Sequence, residues 1–142
     1  MSIAFYTSDV EVAKTAGDIQ ALLARRGVTR ISTLYSEENG EAIGLGFTLR
    51  TDYGIRDFEM PVRIDGVYAA LASDTAIPKK KRTREQAQRT AWRIAHALLV
   101  AQVALIDAEL ATLDELMMPF MVDGSGATAY QVLRRSLGEL EA

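Results

Sequence analysis

The chain has 142 residues, 49% of them hydrophobic and 25% charged, and a formal net charge of −3 at pH 7. That length buries a core without disulfide or metal staples and fits one α+β domain over residues 1–142. The absence of cysteine excludes disulfides, a zinc–thiolate site and a cysteine nucleophile, and the net acidity means that any case for nucleic acid must rest on local charge.

The start, MSIAFYTSDVEVAK, has neither the basic nor the apolar region of a signal peptide, and a reducing cytoplasm is the expectation. A Ser or Thr followed three residues later by Glu or Gln marks four helix starts: Ser8/Glu11, Thr83/Gln86, Thr112/Glu115 and Thr128/Gln131. The first helix runs from about Asp9 to Arg26, with Val12, Ala16, Ile19 and Leu23 on one stripe and Gly27 as its stop.

A strand over Thr29–Ser36 follows, then the turn EENGE and a strand over Glu41–Arg50. A three-residue loop with Gly40 left-handed pairs Ile43 with Tyr35, Leu45 with Thr33 and Phe47 with Ile31. That register gathers the apolar side chains on one face. The third strand carries Phe58, Met60, Val62 and Ile64 on one side, with Pro61 marking it as an edge. These elements fill residues 1–64; residues 65–142 are helical.

Asp65 is read as the cap of a short helix, and Asp74–Arg82 as a loop into a long helix from Arg84 to about Leu110. Two apolar stripes cover that helix: Ala87, Ala91, Ile94, Leu98 and Leu105, and Trp92, Ala95, Leu99, Val103, Ile106 and Leu110. So wide a face is either central to the core or shared with another subunit. Its most apolar run, Ile94–Ile106, is too short to span a bilayer, and no membrane is expected as a partner. A helix from Leu113 to about Met121 and a last one from about Ala129 to Glu141 flank the connector DGSGA. The expected fold is α+β: a three-stranded antiparallel sheet packed by the N-terminal and the long central helix, with additional C-terminal helices.

No catalytic constellation emerges, and no cofactor or metal is expected. His96, the single histidine, sits mid-helix between alanines, GSG lacks the strand and lysine of a phosphate loop, and Asp107, Glu109, Asp114 and Glu115 scatter over several faces. What stands out is PKKKRTR. Five of the six residues from Lys79 to Arg84 are basic at a helix N-terminus, whose partial positive charge disfavours them. A phosphate backbone would satisfy Lys79, Lys80, Lys81, Arg82, Arg84, Arg89 and Arg93 together, so nucleic acid is the first expected partner. A solvated loop is the plain alternative. Trp92, Leu99, Val103 and Ile106, with Met117, Met118 and Met121, are the corresponding candidates for a protein interface or self-association.

In outline the α-β-β-β-α order looks like a double-stranded RNA-binding domain, although a short extra helix intervenes and the usual loop motif between the first two strands is missing. Residues 82–120, RTREQAQRTAWRIAHALLVAQVALIDAELATLDELMMPF, resemble a family of small phage and prophage proteins of unassigned function. The resemblance rests on the QA-x-R-x-AWRI helix (Gln86, Ala87, Arg89, Ala91, Trp92, Arg93, Ile94), on Gln102, on an AT-x-DE-x-x-x-P-[FY] turn with Pro119, and on a GDIQALL-like helix before a hairpin. His96 departs from it, where a lysine is expected. The resemblance implies a phage or mobile-element origin and a bacterial host cytoplasm, with genes of DNA replication or recombination as neighbours, and it brings no catalytic residues; the expected function is a non-enzymatic accessory protein that binds nucleic acid through the basic helix start. A module that inhibits host defence or acts as an assembly adaptor is the other function considered.

Overall fold

Period-two alternation builds the sheet. Leu45, Phe47 and Leu49 point to one side of the middle strand, and Phe58 and Met60 join them from the third. The computed structural model describes residues 1–141. In it β1 (Val28–Tyr35), β2 (Ala42–Thr51) and β3 (Gly54–Pro61) form an antiparallel sheet in the order β1-β2-β3. Ile31 faces Phe47 and Thr33 faces Leu45, the register expected from the sequence, and Phe47 stacks on Phe58 with centroids 5.1 Å apart.

Near the turn the register slips by one residue. Ser36 bonds to the Glu41 carbonyl, so four residues rather than three make the loop, and Tyr35 pairs with Ala42. Ile43 is bulged out and exposed, while Ala42 turns into the core. Gly40 does adopt the left-handed conformation, with φ of 73°.

Pro61 closes β3, an edge strand, opposite Gly44. The same edge is partly covered from outside: Met121 bridges Phe58, and the Val122 amide donates to the Asp57 carbonyl at 2.9 Å.

All the packing helices lie on one sheet face. They are α1 (Val12–Ala24), α2 (Ile64–Ala72), α3 (Arg84–Asp107) and α4 (Leu113–Met117). α1 and α2 both pack on α3. One core cluster joins strands and helices, with Ile19, Leu23, Leu45, Leu71, Ile77, Leu99 and Met117 fully enclosed. Trp92 sits at its centre and donates its indole N–H to the Ala42 carbonyl at 2.9 Å.

The helix starts divide. Thr83 and Thr112 cap α3 and α4 through the amides of Gln86 and Glu115. Thr128 and Gln131 exchange both bonds of a capping box ahead of α5 (Ala129–Glu141). Ser8 does not cap α1: its hydroxyl accepts the Val10 amide in a local turn, and the helix begins at Val12. Asp65 lies within the first turn of α2 rather than at its cap, and Ile64 starts that helix instead of ending the strand. The DGSG connector is a closed turn in which Asp123 Oδ1 accepts from Ser125 and Ala127.

Two interface expectations need correction here. Trp92, Leu99, Val103 and Met117 are buried inside this one chain and offer no free surface; Ile106 and Met121 are half-buried against the same core, and Met118 alone of that group is exposed. On the other stripe Ala87 and Ala91 are buried as well, and only its later part, Leu98 and Leu105, is exposed.

α3 ends earlier than Leu110, in a Schellman turn. The Leu110 amide reaches the Leu105 carbonyl at 2.9 Å, and Glu109 takes the left-handed position with φ of 60°. A residue with a Cβ is disfavoured there by roughly 1 kcal/mol. Glu109→Gly is therefore expected to stabilise the fold by about 1 kcal/mol, read as a higher urea midpoint with an unchanged slope.

Candidate interaction surfaces

The basic cluster is organised by its partners inside the fold. Lys79–Lys81 form a single 3-10 turn after Pro78. Lys81 Nζ lies 3.0 Å from Asp9 Oδ1, tying the turn to the segment before α1. Arg84, in the first turn of α3, grips two acids: Nε and Nη2 donate to both oxygens of Glu41 at 2.8 and 2.7 Å, and Nη2 also reaches Asp65 at 2.6 Å. Its guanidinium carbon lies 5.7 Å from the centroid of the Tyr68 ring. One side chain thus joins the β1–β2 loop, α2 and α3.

The next two arginines behave alike. Arg89 donates to Gln86 Oε1 at 3.2 and 2.7 Å and stands 3.9 Å from Glu11. Arg93 lies 3.8 Å from Asp18 on α1. Arg82 is half-buried, with its Nε enclosed. Lys79 and Lys80 are exposed and have no ion-pair partner among the described residues. Two of the five cations at this disfavoured helix end, Lys81 and Arg84, therefore have a structural reason: they hold acids at the starts of α1, α2 and the second strand.

The acids report the same contacts. The Arg84 hydrogen bonds hold the Glu41 carboxyl below its ordinary range, and the Lys81 contact does so for Asp9. Asp18 is lowered first by Lys14 and only weakly by Arg93. Sequence reasoning missed these pairings because the partners are far apart in the chain. The available signal was the placement of Asp9, Glu11, Glu41 and Asp65, each at the start of an element.

The motif residues also turn out to be architectural. Gln86 is buried and donates to the carbonyls of Tyr6 and Ser8 at 2.7 and 2.9 Å, while Thr90 donates to that of Phe5 at 3.2 Å. Together they pin the N-terminal turn, in which Phe5 has a φ of 66°.

The second surface is apolar. Leu98 and Leu105 on α3 are 47% and 40% exposed, with Ile94 half-buried beside them. On α5, Tyr130, Leu133 and Leu137 share one side and are exposed, the two leucines at 58% and 51%. α5 meets the body chiefly through Met118–Phe120, and a cleft of about 350 Å³ separates Tyr130 and Arg134 from Leu34, Gly44 and Glu59.

No group of His, Cys, Asp and Glu among the described residues is arranged to hold a metal. His96 is half-buried, and burial together with Arg93 lowers its pKa. No described helix is long and apolar enough to cross a membrane.

Because Glu41 is deprotonated more readily in the folded chain than in the unfolded one, its contribution is complete above its ordinary pKa of 4.5 and is lost as pH falls further. Glu41→Gln is expected to lower the thermal midpoint at pH 7 and to make the decline in stability below pH 4.5 shallower. Parallel melts across pH check both effects. Comparisons of the chain with protein-family models, with curated proteins and with solved structures give no match.

Proposed function

We propose that the chain is a non-enzymatic protein-interaction module that works through α5 and the uncovered stripe of α3. The observation that carries this reading is α5 itself, an amphipathic helix whose apolar residues Tyr130, Leu133 and Leu137 face water. Isolated helices of about this length are marginal in water, so an apolar stripe of this kind is ordinarily stabilised by packing. An exposed apolar helix face is a common groove-docking element, recognised through anchors at three- and four-residue spacing. Met118, exposed beside the root of α5, adds an adaptable contact. The resemblance of residues 82–120 to small phage proteins supports a phage-encoded role in a bacterial cytoplasm, as an adaptor or an inhibitor of a host system.

Nucleic-acid binding is the second reading. It now rests on exposed Lys79 and Lys80 and on half-buried Arg82, since Lys81, Arg84, Arg89 and Arg93 each have a carboxylate within ion-pair distance. Phosphate contacts by these three side chains give weak binding that falls steeply with salt.

The test is capture from phage-infected host lysate by the chain and by its Leu133→Glu/Leu137→Glu variant, alongside titration with short DNA and RNA at two salt concentrations. A protein retained by the chain and lost with the variant supports the module. Tight nucleic-acid binding that is abolished by Lys79→Ala/Lys80→Ala, with no protein retained, overturns it.

A further inference from the structure

The chain has a single asparagine, Asn39, and a glycine follows it. The pair stands in the loop between β1 and β2, exposed to water, two residues before the acid that Arg84 grips. An asparagine side chain is stable until the amide nitrogen of the next residue reaches its Cγ, and most residues obstruct that approach with their own Cβ. Gly40 has none. A Cβ built there would meet nothing within 4 Å, so the surrounding loop leaves the path open.

The hydrogen bonds of the loop bear on the same atoms. The Glu41 amide donates to Asn39 Oδ1 at 3.0 Å, which folds the side chain back over the Asn39–Gly40 peptide and draws electrons from Cγ, the atom to be attacked. Asn39 Nδ2, the leaving nitrogen, donates to Glu41 Oε1 at 3.0 Å. One bond opposes the reaction. The Gly40 amide donates to the Ser36 carbonyl at 2.8 Å, so its nitrogen attacks only when that bond opens. Bonds in an exposed loop open at far lower free energy than those of the core.

We infer that Asn39 is a site of spontaneous modification by water in the folded chain, and that its product loosens the clasp of Arg84 on Glu41. The Gly40 nitrogen bonds to Asn39 Cγ, the Cγ–Nδ2 bond breaks, and ammonia leaves with the Gly40 amide proton. Water then opens the resulting succinimide at either carbonyl, giving aspartate or an isoaspartate whose main chain runs through Cγ. In balance, a carboxamide and a water become a carboxylate and an ammonium ion, with no oxidation or reduction.

Both products act on one neighbour. The Glu41 side chain is only 10% exposed, places both oxygens on Arg84 and accepts from Asn39. A carboxylate at position 39 removes that donor and sets like charge beside a nearly enclosed anion. Isoaspartate also adds a backbone atom to the loop that closes Ser36 on Glu41, and so disturbs Ala42, whose carbonyl accepts the Trp92 indole N–H.

Incubation of the purified full chain in mildly alkaline buffer, followed by intact mass and peptide mapping, tests this. The expected result is a gain of O for NH confined to Asn39, faster in urea, where Ser36 no longer holds the Gly40 amide. Asn39→Gln is expected to keep its mass over the same period, because its ring closure needs a larger ring. The converted chain, separated by its added negative charge, is expected to melt about 2–4 °C below the fresh chain, and the shift is expected to shrink in Glu41→Gln, where no like charge remains. An unchanged mass in the folded chain overturns the modification site, whatever the unfolded chain does. Conversion that leaves the melt unchanged, or shifts it equally in Glu41→Gln, overturns the link to the Arg84 clasp.

Discussion

Arg84 occupies the point where three parts of the molecule meet. It opens α3, chelates Glu41 at the end of the β1–β2 loop and reaches Asp65 in the first turn of α2. The Glu41 side chain is only 10% exposed, so it needs that partner to be buried as an ion at modest cost. The same contact sets Ala42 beside Trp92, whose indole takes the Ala42 carbonyl, and thereby anchors the middle strand against the central helix. Lys81, Arg89 and Arg93 extend the arrangement along α1. Exposed pairs of this kind contribute little one by one, roughly 0–1 kcal/mol each, but together they fix which way each element enters the core.

This internal pairing changes what the molecule offers its surroundings. Within the cationic cluster, the most conspicuous feature of the sequence, Lys81 and Arg84 are paired with acids folded against them, while Lys79, Lys80 and Arg82 have no carboxylate within ion-pair distance among the described residues. Beside those lysines, the exposed apolar surface lies at the end of α3 and on α5. The chain combines a well-enclosed core around Trp92 with a helix that contributes little to that core, a division expected of a scaffold that presents a binding element.

Much of the fold was legible because it is written in short-range patterns. Alternation at Leu45, Phe47 and Leu49 and at Phe58 and Met60 fixed the strands and their inner face, and hydroxyl caps at Thr83, Thr112 and Thr128 located three helix starts. The misreadings have physical causes. Ser8 finds a nearer amide than that of a helix, and the bulge at Ile43 depends on closing Ser36 against Glu41, which alternation does not encode. The surface was less legible than the fold. Both stripes of α3 look alike in sequence, and only the positions of α1, α2 and the sheet decide that Leu99 and Val103 are enclosed while Leu98 and Leu105 are not. The partners of Arg84 lie 43 and 19 residues away, a long-range pairing that local spacing does not reveal.

An apolar helix, rather than a basic helix start, is the working surface that we propose for this chain. Amide hydrogen exchange of the chain, alone and after addition of the protein that it captures or of a short polyanion, measures that most directly. The expected result is that the α5 amides gain protection with the captured protein, while the Lys79–Arg82 segment is unchanged. Unchanged exchange of α5, with protection appearing at Lys79–Arg82 when the polyanion is added, would contradict it.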